Sequence, residues 1–160
     1  MNIRLAERRD VDAIRALLSE RIAWMDAVGI DQWNRTGYLE RYPAEYFFSV
    51  IDGKELFAAE DEDGLAGLMA LFSADERWPE DGVPAFYVHH LTAARRCPGL
   101  GRRMLLWAET EAVRQGKHCL RLDSAVGNAG LERFYTALGY TAAGFCTDGP
   151  YRGILREKKL

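Results

Sequence analysis

The spacing of hydrophobic positions changes period several times along the chain, and each change marks an element. Residues 2–6 alternate as a short strand does. From Asp10 the period lengthens, with Val11, Ile14, Leu17 and Leu18 on one face of a helix that Asp10 is placed to cap. A second, aromatic helix is expected through residues 21–33, broken near Gly29. A third follows Pro43, which suits a first helical position, and closes at Gly53. Then the period shortens to two: "LFAAED", the turn "DEDG" and "LAGLMALF" read as a hairpin of strands. "FYVHHLT" forms a further strand after a loop rich in acids and proline. Leu100, Met104, Trp107, Ala108 and Ala112 return to helical spacing up to Gly116. Strand "CLRLDSA", helix "AGLERFYTAL" and the strands "YTAAGFC" and "RGILREKKL" complete the pattern.

This alternation, with a strand-turn-helix-strand unit over residues 86–124, predicts a layered α/β fold. No repeat, low-complexity stretch or linker divides the chain, so residues 1–160 are expected to form one domain. At 160 residues and 48% hydrophobic, the chain has enough apolar material for a core of its own. A net charge of -3 argues against a general nucleic-acid or membrane-surface binder, which exploits a strong basic excess. Cys97, Cys119 and Cys146 are odd in number and lie far apart, and the histidines show no ligand spacing. Neither a metal site nor a disulfide frame is therefore expected, and a reducing, cytoplasmic setting is the simplest. The first residues are charged throughout, and no apolar run approaches the roughly 18 residues of a membrane helix.

The chemistry concentrates in "RRCPGLGRRM", where Gly99 and Gly101 sit at the start of a helix among Arg95, Arg96, Arg102 and Arg103. Glycine lets a ligand approach the main chain closely, and the free N–H groups of a helix start attract anions. A phosphate-bearing ligand is the natural occupant, although the same residues could make only a tight turn with a solvated basic face. Two phosphate motifs are excluded. Gly53-Lys54 and Gly116-Lys117 are followed by Glu55 and His118, so there is no P-loop. A dinucleotide fingerprint from Gly99 would need a small residue where Met104 stands.

Residues 96–101, "RCPGLG", resemble the R/Q-x-x-G-x-G/A loop of the GNAT superfamily, the acyl-CoA-dependent N-acyltransferases. Residues 128–140, "NAGLERFYTALGY", resemble the family's Asn-…-Phe-Tyr-…-Gly-Phe/Tyr signature on the following helix. Two motifs in order, with a strand between them, are far more specific than either alone. The resemblance implies a mixed, mostly antiparallel sheet flanked by helices, with splayed central strands forming the acyl-CoA cleft. It implies acetyl-CoA as co-substrate and a small-molecule or peptide amine as acceptor. Arg96, Cys97, Gly99, Leu100, Gly101, Arg102 and Asn128 would hold the coenzyme; Asn128 also suits a helix cap. Pro98 removes one N–H from the loop, and Arg96 and Arg102 are placed to supply charge in its stead. Members of the family often pair through sheet edges, so a homodimer is one expectation it adds.

Attack of an amine on a thioester needs a donor fixed where negative charge develops. In the family this is a backbone N–H on the strand before the loop, within "VHHLT", and Leu91 is the first choice. The leaving thiolate needs a proton, and Tyr135 matches the family's general acid; a phenol keeps its proton at neutral pH. The same ring could simply edge the apolar stripe of Leu131, Phe134 and Leu138. For the base, His89 heads Tyr87, Asp75 and Glu76. Adjacent strand residues face opposite sides, so at most one of His89 and His90 should line the cleft. Trp24, Met25, Trp33 and Tyr38 could wall the acceptor site and Asp26, Asp31 and Glu40 could hold a cation, although core and solvated face are the stronger readings of these residues. Two other classes stay open: an acyl-CoA-binding sensor without turnover, and an interaction domain whose glycine loop is only a turn.

Overall fold

A computed structural model describes residues 2–160. The strands are β1 (Asn2–Leu5), β2 (Leu56–Asp61), β3 (Gly64–Phe72), β4 (Ala85–Ala93), β5 (Cys119–Ala125), β6 (Thr141–Asp148) and β7 (Tyr151–Lys159). The helices are α1 (Val11–Val28), α2 (Tyr38–Arg41), α3 (Ala44–Asp52), α4 (Leu100–Arg114) and α5 (Ala129–Ala137). All seven strands form one sheet in the order β1-β2-β3-β4-β5-β7-β6. Only the central β4–β5 pair is parallel, and the other neighbours run antiparallel.

The period-two pattern of the strands sorts their side chains between two cores. On one face Met69, Leu71, Phe86, Val88, Leu120 and Leu122 pack under Leu100, Met104, Leu105 and Ala108 of α4 and Tyr135 of α5. On the other, Leu56, Ala58, Leu68 and Ala70 meet Ile14, Leu17 and Leu18 of α1 and Phe47 and Val50 of α3. Helices on both faces thus fix the sheet, and the two glycine-ended helices α4 and α5 stand beside its central strands.

Two features of the centre matter for function. The β4–β5 ladder holds only from Ala85↔Cys119 to Tyr87↔Arg121; beyond it the strands part. At the same level β4 bulges away from β3. Leu68 pairs with Thr92 and Ala70 with His89, so His90 and Leu91 together oppose Met69 alone, and His90 takes the left-handed φ of 56°.

The structure corrects three expectations at the N-terminal end and the strand. Residues 21–28 are not a separate helix. No glycine or proline interrupts 11–28, and α1 runs for 18 residues to a left-handed Gly29 whose N–H bonds the Asp26 and Met25 carbonyls. Asp10 stands at the start of α1 but does not cap it with its side chain. A 3-10 turn over Arg8–Asp10 precedes the helix, and the Asp10 carboxylate accepts the Glu7 N–H (2.7 Å) and binds Arg4 (2.7 Å). His89 and His90 do not face opposite sides, because the bulge breaks the alternation; both line the central cleft, with ring centroids 6.1 Å apart.

Candidate active site

Where β4 and β5 part, Val88–Ala93 and Leu122–Ala125 become the walls of a cleft that Leu131 and Tyr135 of α5 border from one face. From the other face Arg21 and Met25 of α1, Trp33, Tyr38 and Tyr42 close over it. Arg21 and Ala93 also line a second groove, which continues past Ala94, Arg95 and Cys97 to Gly101. Cleft and loop are therefore one continuous surface.

At the loop, Gly99 caps α4 at φ 78°. The Cys97 N–H is taken by Ala94 O (3.0 Å), the Leu100 N–H by Cys97 O (3.2 Å) and the Arg103 N–H by Gly99 O (3.2 Å). Among the described residues the N–H groups of Arg96, Gly99, Gly101 and Arg102 have no such partner. A Cβ added at Gly99 or Gly101 would meet nothing within 4 Å, so the space above both is open. Unpaired amides under open space at a helix start fit a phosphate. Leu100 contributes differently from the glycines: its side chain is fully buried in the core and anchors the turn.

Arg96 does not supply charge to this loop as its position in the motif suggested. Its guanidinium is paired with Asp61 at the end of β2 and donates to Leu65 O at the start of β3 (3.1 Å), because that hairpin end lies directly beside it. Cys97 Sγ donates to the same carboxylate (3.1 Å), which together with burial raises the thiol's pKa. Arg102 and Arg103 are exposed at the mouth of the loop, and Arg95 lies over the Trp24 ring, 5.8 Å from its centroid.

Leu91, at the bulge, has no register partner on β3 or β5 and lines the cleft. Tyr135 borders the cleft from α5, its ring packed on Phe134 (5.1 Å) and Tyr140 (5.7 Å). Among the described residues its hydroxyl has no side-chain partner. Burial first, then the charge of Asp123, raises its pKa above the ordinary value, so it holds its proton across the neutral range. Asn128 caps α5, its Oδ1 accepting the Leu131 N–H at 3.0 Å.

His89 sits in a charged network carried by the loop between β3 and β4. Its Nε2 lies 2.8 Å from Asp75 and its Nδ1 3.1 Å from the Arg77 guanidinium. Arginine only donates, so Nδ1 accepts and Nε2 carries the N–H toward Asp75. Neither nitrogen keeps a lone pair for an incoming proton, so the expectation of His89 as general base gives way to one of a strut between Asp75 and Arg77. Burial works against the Asp75 carboxylate, but the bonds from His89 and the Arg77 backbone outweigh it and bring it down to about 2. Tyr87 lies in a separate cluster with Trp78, its hydroxyl accepting from Arg121 (3.1 Å), and Glu76 is exposed; neither lines the cleft.

Of the residues named for an acceptor wall, three reach the cleft. Met25, Trp33 and Tyr38 line the cleft, whereas Trp24 does not and stacks instead with Arg21, 4.4 Å from its centroid. The carboxylates named from sequence do not reach it: Asp26 holds Asn34 (2.7 Å), Asp31 holds Arg35 (2.7 Å), and Glu40 is exposed. The acids that do line the cleft are Asp123 and Asp148. Asp123 accepts from Arg77 (3.1 Å) and from the Tyr151 hydroxyl (2.6 Å), and Asp148 binds Arg41 (2.5 Å). Asp123 had a signal in the sequence, a lone acid inside the apolar strand "CLRLDSA"; Asp148 at the end of β6 and Arg77 in a loop had none.

Among the described residues no helix is long and apolar enough to cross a membrane, and no three His, Cys, Asp or Glu side chains cluster as metal ligands. The sequence profile of the Acetyltransferase (GNAT) family matches residues 18–140. The uncharacterised N-acetyltransferase YesJ of Bacillus subtilis is 30% identical over 159 residues, covering 94% of this chain and 86% of that protein. A GNAT-family acetyltransferase structure from Listeria monocytogenes superposes with a TM-score of 0.81 at 26% identity, covering 99% and 94% of the two chains. The PaiA N-acetyltransferase of Thermoplasma acidophilum, solved with coenzyme A, superposes at 0.78 with 21% identity over 99% and 98%.

Proposed function

This chain belongs to the acetyltransferase (GNAT) family, and we propose that it transfers the acetyl group of acetyl-CoA directly to a primary amine bound beside it, with Tyr135 as general acid. The observation that carries the reading is the parting of β4 and β5 above Tyr87 and Arg121, in line with a loop of unpaired amides on one side and Tyr135 on the other.

Acetyl-CoA supplies an activated thioester carbonyl and a thiol leaving group. The chain's part is to bind, orient and move protons. The N–H groups of Gly99, Gly101 and Arg102 hold the pyrophosphate, with the exposed Arg102 and Arg103 adding charge at the mouth. Leu91 presents its N–H to the thioester oxygen, where a fixed donor counts most. Tyr135 keeps its proton at Oη and delivers it to the departing sulfur, while the acylated nitrogen releases one proton to solvent and the phenolate takes one back. Trp33, Tyr38 and Tyr42 exclude water from the acceptor end, and the carboxylates of Asp123 and Asp148, held by Arg77 and Arg41, offer acceptor oxygens to the N–H groups of a small-molecule or peptide amine.

Calorimetry with acetyl-CoA, followed by thiol release across a panel of amines, tests the proposal. Binding with amine-dependent release is the expected result. Binding without release from any amine would make the chain a sensor, and absence of binding would make the loop a turn only.

A further inference from the structure

The His90 ring is half-buried, packed among the rings of Tyr38, Tyr42, Tyr46 and Phe47, with centroids 5.8, 4.8, 5.4 and 5.7 Å away. Each of its nitrogens meets a different tyrosine: Nδ1 bonds the Tyr38 hydroxyl, and Nε2 lies 2.7 Å from that of Tyr46. Burial first, then the charges of His89 and Arg77, lowers its pKa to about 3, so the ring is neutral at physiological pH. A neutral imidazole has one donor and one acceptor, and here both are used. No lone pair is left for substrate chemistry.

The backbone of the same residue is the unusual part. Apart from Lys54, His90 is the one non-glycine with positive φ among the described residues, and it stands in the middle of a central strand. An L-residue is disfavoured there relative to extended backbone, and relaxation would return β4 to regular pairing with β3. Regular pairing would place Leu91 opposite a β3 residue and commit its N–H to the ladder or to the opposite face. The contacts that oppose relaxation come from α2, which closes the acceptor end of the cleft, and from α3 behind it.

We propose that His90 is a positioning residue: pinned between Tyr38 and Tyr46, it holds the left-handed bulge of β4 and thereby sets where the Leu91 N–H stands. The arm that closes over the acceptor and the strand that faces the donor are then mechanically joined through one ring. The proposal rests on the function argued above, because Leu91 matters catalytically only if an acyl group is transferred.

The test uses the full chain, labelled with 15N-leucine, as wild type and as Tyr46→Phe, His90→Ala and His90→Asn. Tyr46 does not line the cleft, so Tyr46→Phe removes one pin and leaves the substrate surface intact. The Leu91 amide resonance of the unliganded protein should move in Tyr46→Phe and move further in His90→Ala, which loses the ring and keeps the cost of a left-handed backbone, while leucines of α4 stay in place. With acetyl-CoA and the best amine of the panel, kcat should fall by about tenfold in Tyr46→Phe and by about 10- to 100-fold in His90→Ala, at unchanged KM for acetyl-CoA. His90→Asn, which tolerates a left-handed backbone, should recover part of the loss, and Tyr46→Phe should add nothing in the His90→Ala background. A Tyr46→Phe protein with reduced thermal stability but wild-type kcat and Leu91 resonance would overturn the proposal, whether or not His90→Ala folds. If the wild type itself acetylates no amine, the proposed function fails, and the Leu91 resonance alone still decides whether the ring holds the bulge.

Discussion

Replacing Tyr135 by Phe removes one oxygen from a site whose geometry makes the consequences separable. The ring is buried against Phe134 and Tyr140, and its hydroxyl has no side-chain partner, so the phenyl group keeps every packing contact and leaves no protein donor or acceptor stranded. Folding stability should therefore change by less than about 0.5 kcal/mol. Catalysis should suffer more. Proton delivery by a placed acid contributes on the order of 100-fold or more. A thiol with a pKa near 8.5 is a fair leaving group unaided, which sets the expectation at the low end, about 30- to 100-fold in kcat. That corresponds to about 2 to 3 kcal/mol of barrier. Stopped-flow thiol release at saturating amine gives kcat, and calorimetry gives acetyl-CoA affinity, which should be unaltered. Because burial raises the phenol's pKa, the wild type should show no loss of kcat from phenol ionisation as pH rises to 10. A Phe variant with wild-type kcat and normal acetyl-CoA binding would refute the assignment.

Gly101→Ala should act in opposite directions on folding and binding: the new methyl group stands in open space on α4 and gains up to about 1 kcal/mol of helix propensity, yet it covers the unpaired amide and should weaken acetyl-CoA binding at least about tenfold by calorimetry. Asp75→Asn should cost about 2 kcal/mol of stability at pH 7, since the carboxylate is held near 2 against 3.8 in the free residue. Its folded pKa is depressed, so this stability is present above about pH 4 and disappears as pH falls through 2; urea titrations in that window should be flatter in the variant than in the wild type. Arg121→Ala should destabilise by about 3 kcal/mol in urea, because a guanidinium only 3% exposed binds Asp81 (2.5 Å) and Glu157 (2.8 Å) and ties the loop between β3 and β4 to the sheet.

The strands were legible because each is a short, two-period run bounded by turn residues. "LFAAED" and "CLRLDSA" coincide with β2 and β5 to the residue. The loop and the α5 motif were legible because close backbone approach and a helix cap demand particular residue types at fixed spacing. The helix boundary after Leu18 was not, since a polar face such as "SER" looks like an interruption when nothing shows which side is wet. The bulge at His90 was not legible either. It is written in contacts from α2 and α3, 52 and 44 residues away in sequence, and strand alternation gave the opposite answer for the two histidines. The same distance hid the acids that line the cleft: Asp26 and Asp31 advertise charge on a helix margin but spend it on Asn34 and Arg35, whereas Asp123 reaches the cleft only where β5 has left β4.

The position of β7 between β5 and β6 has a consequence for how the molecule is made. Both neighbours precede it in the chain, so a polypeptide growing from the N-terminus presents β5 with one bare edge and β6 with no partner until residues 151–159 emerge. β4 alone flanks β5 in that interval, through three paired residues. The half-built sheet is an aggregation-prone template during synthesis, and insertion of a single late strand closes it. Maturation is thus timed by the last ladder to form, and that ladder runs along β5, the strand that carries Asp123.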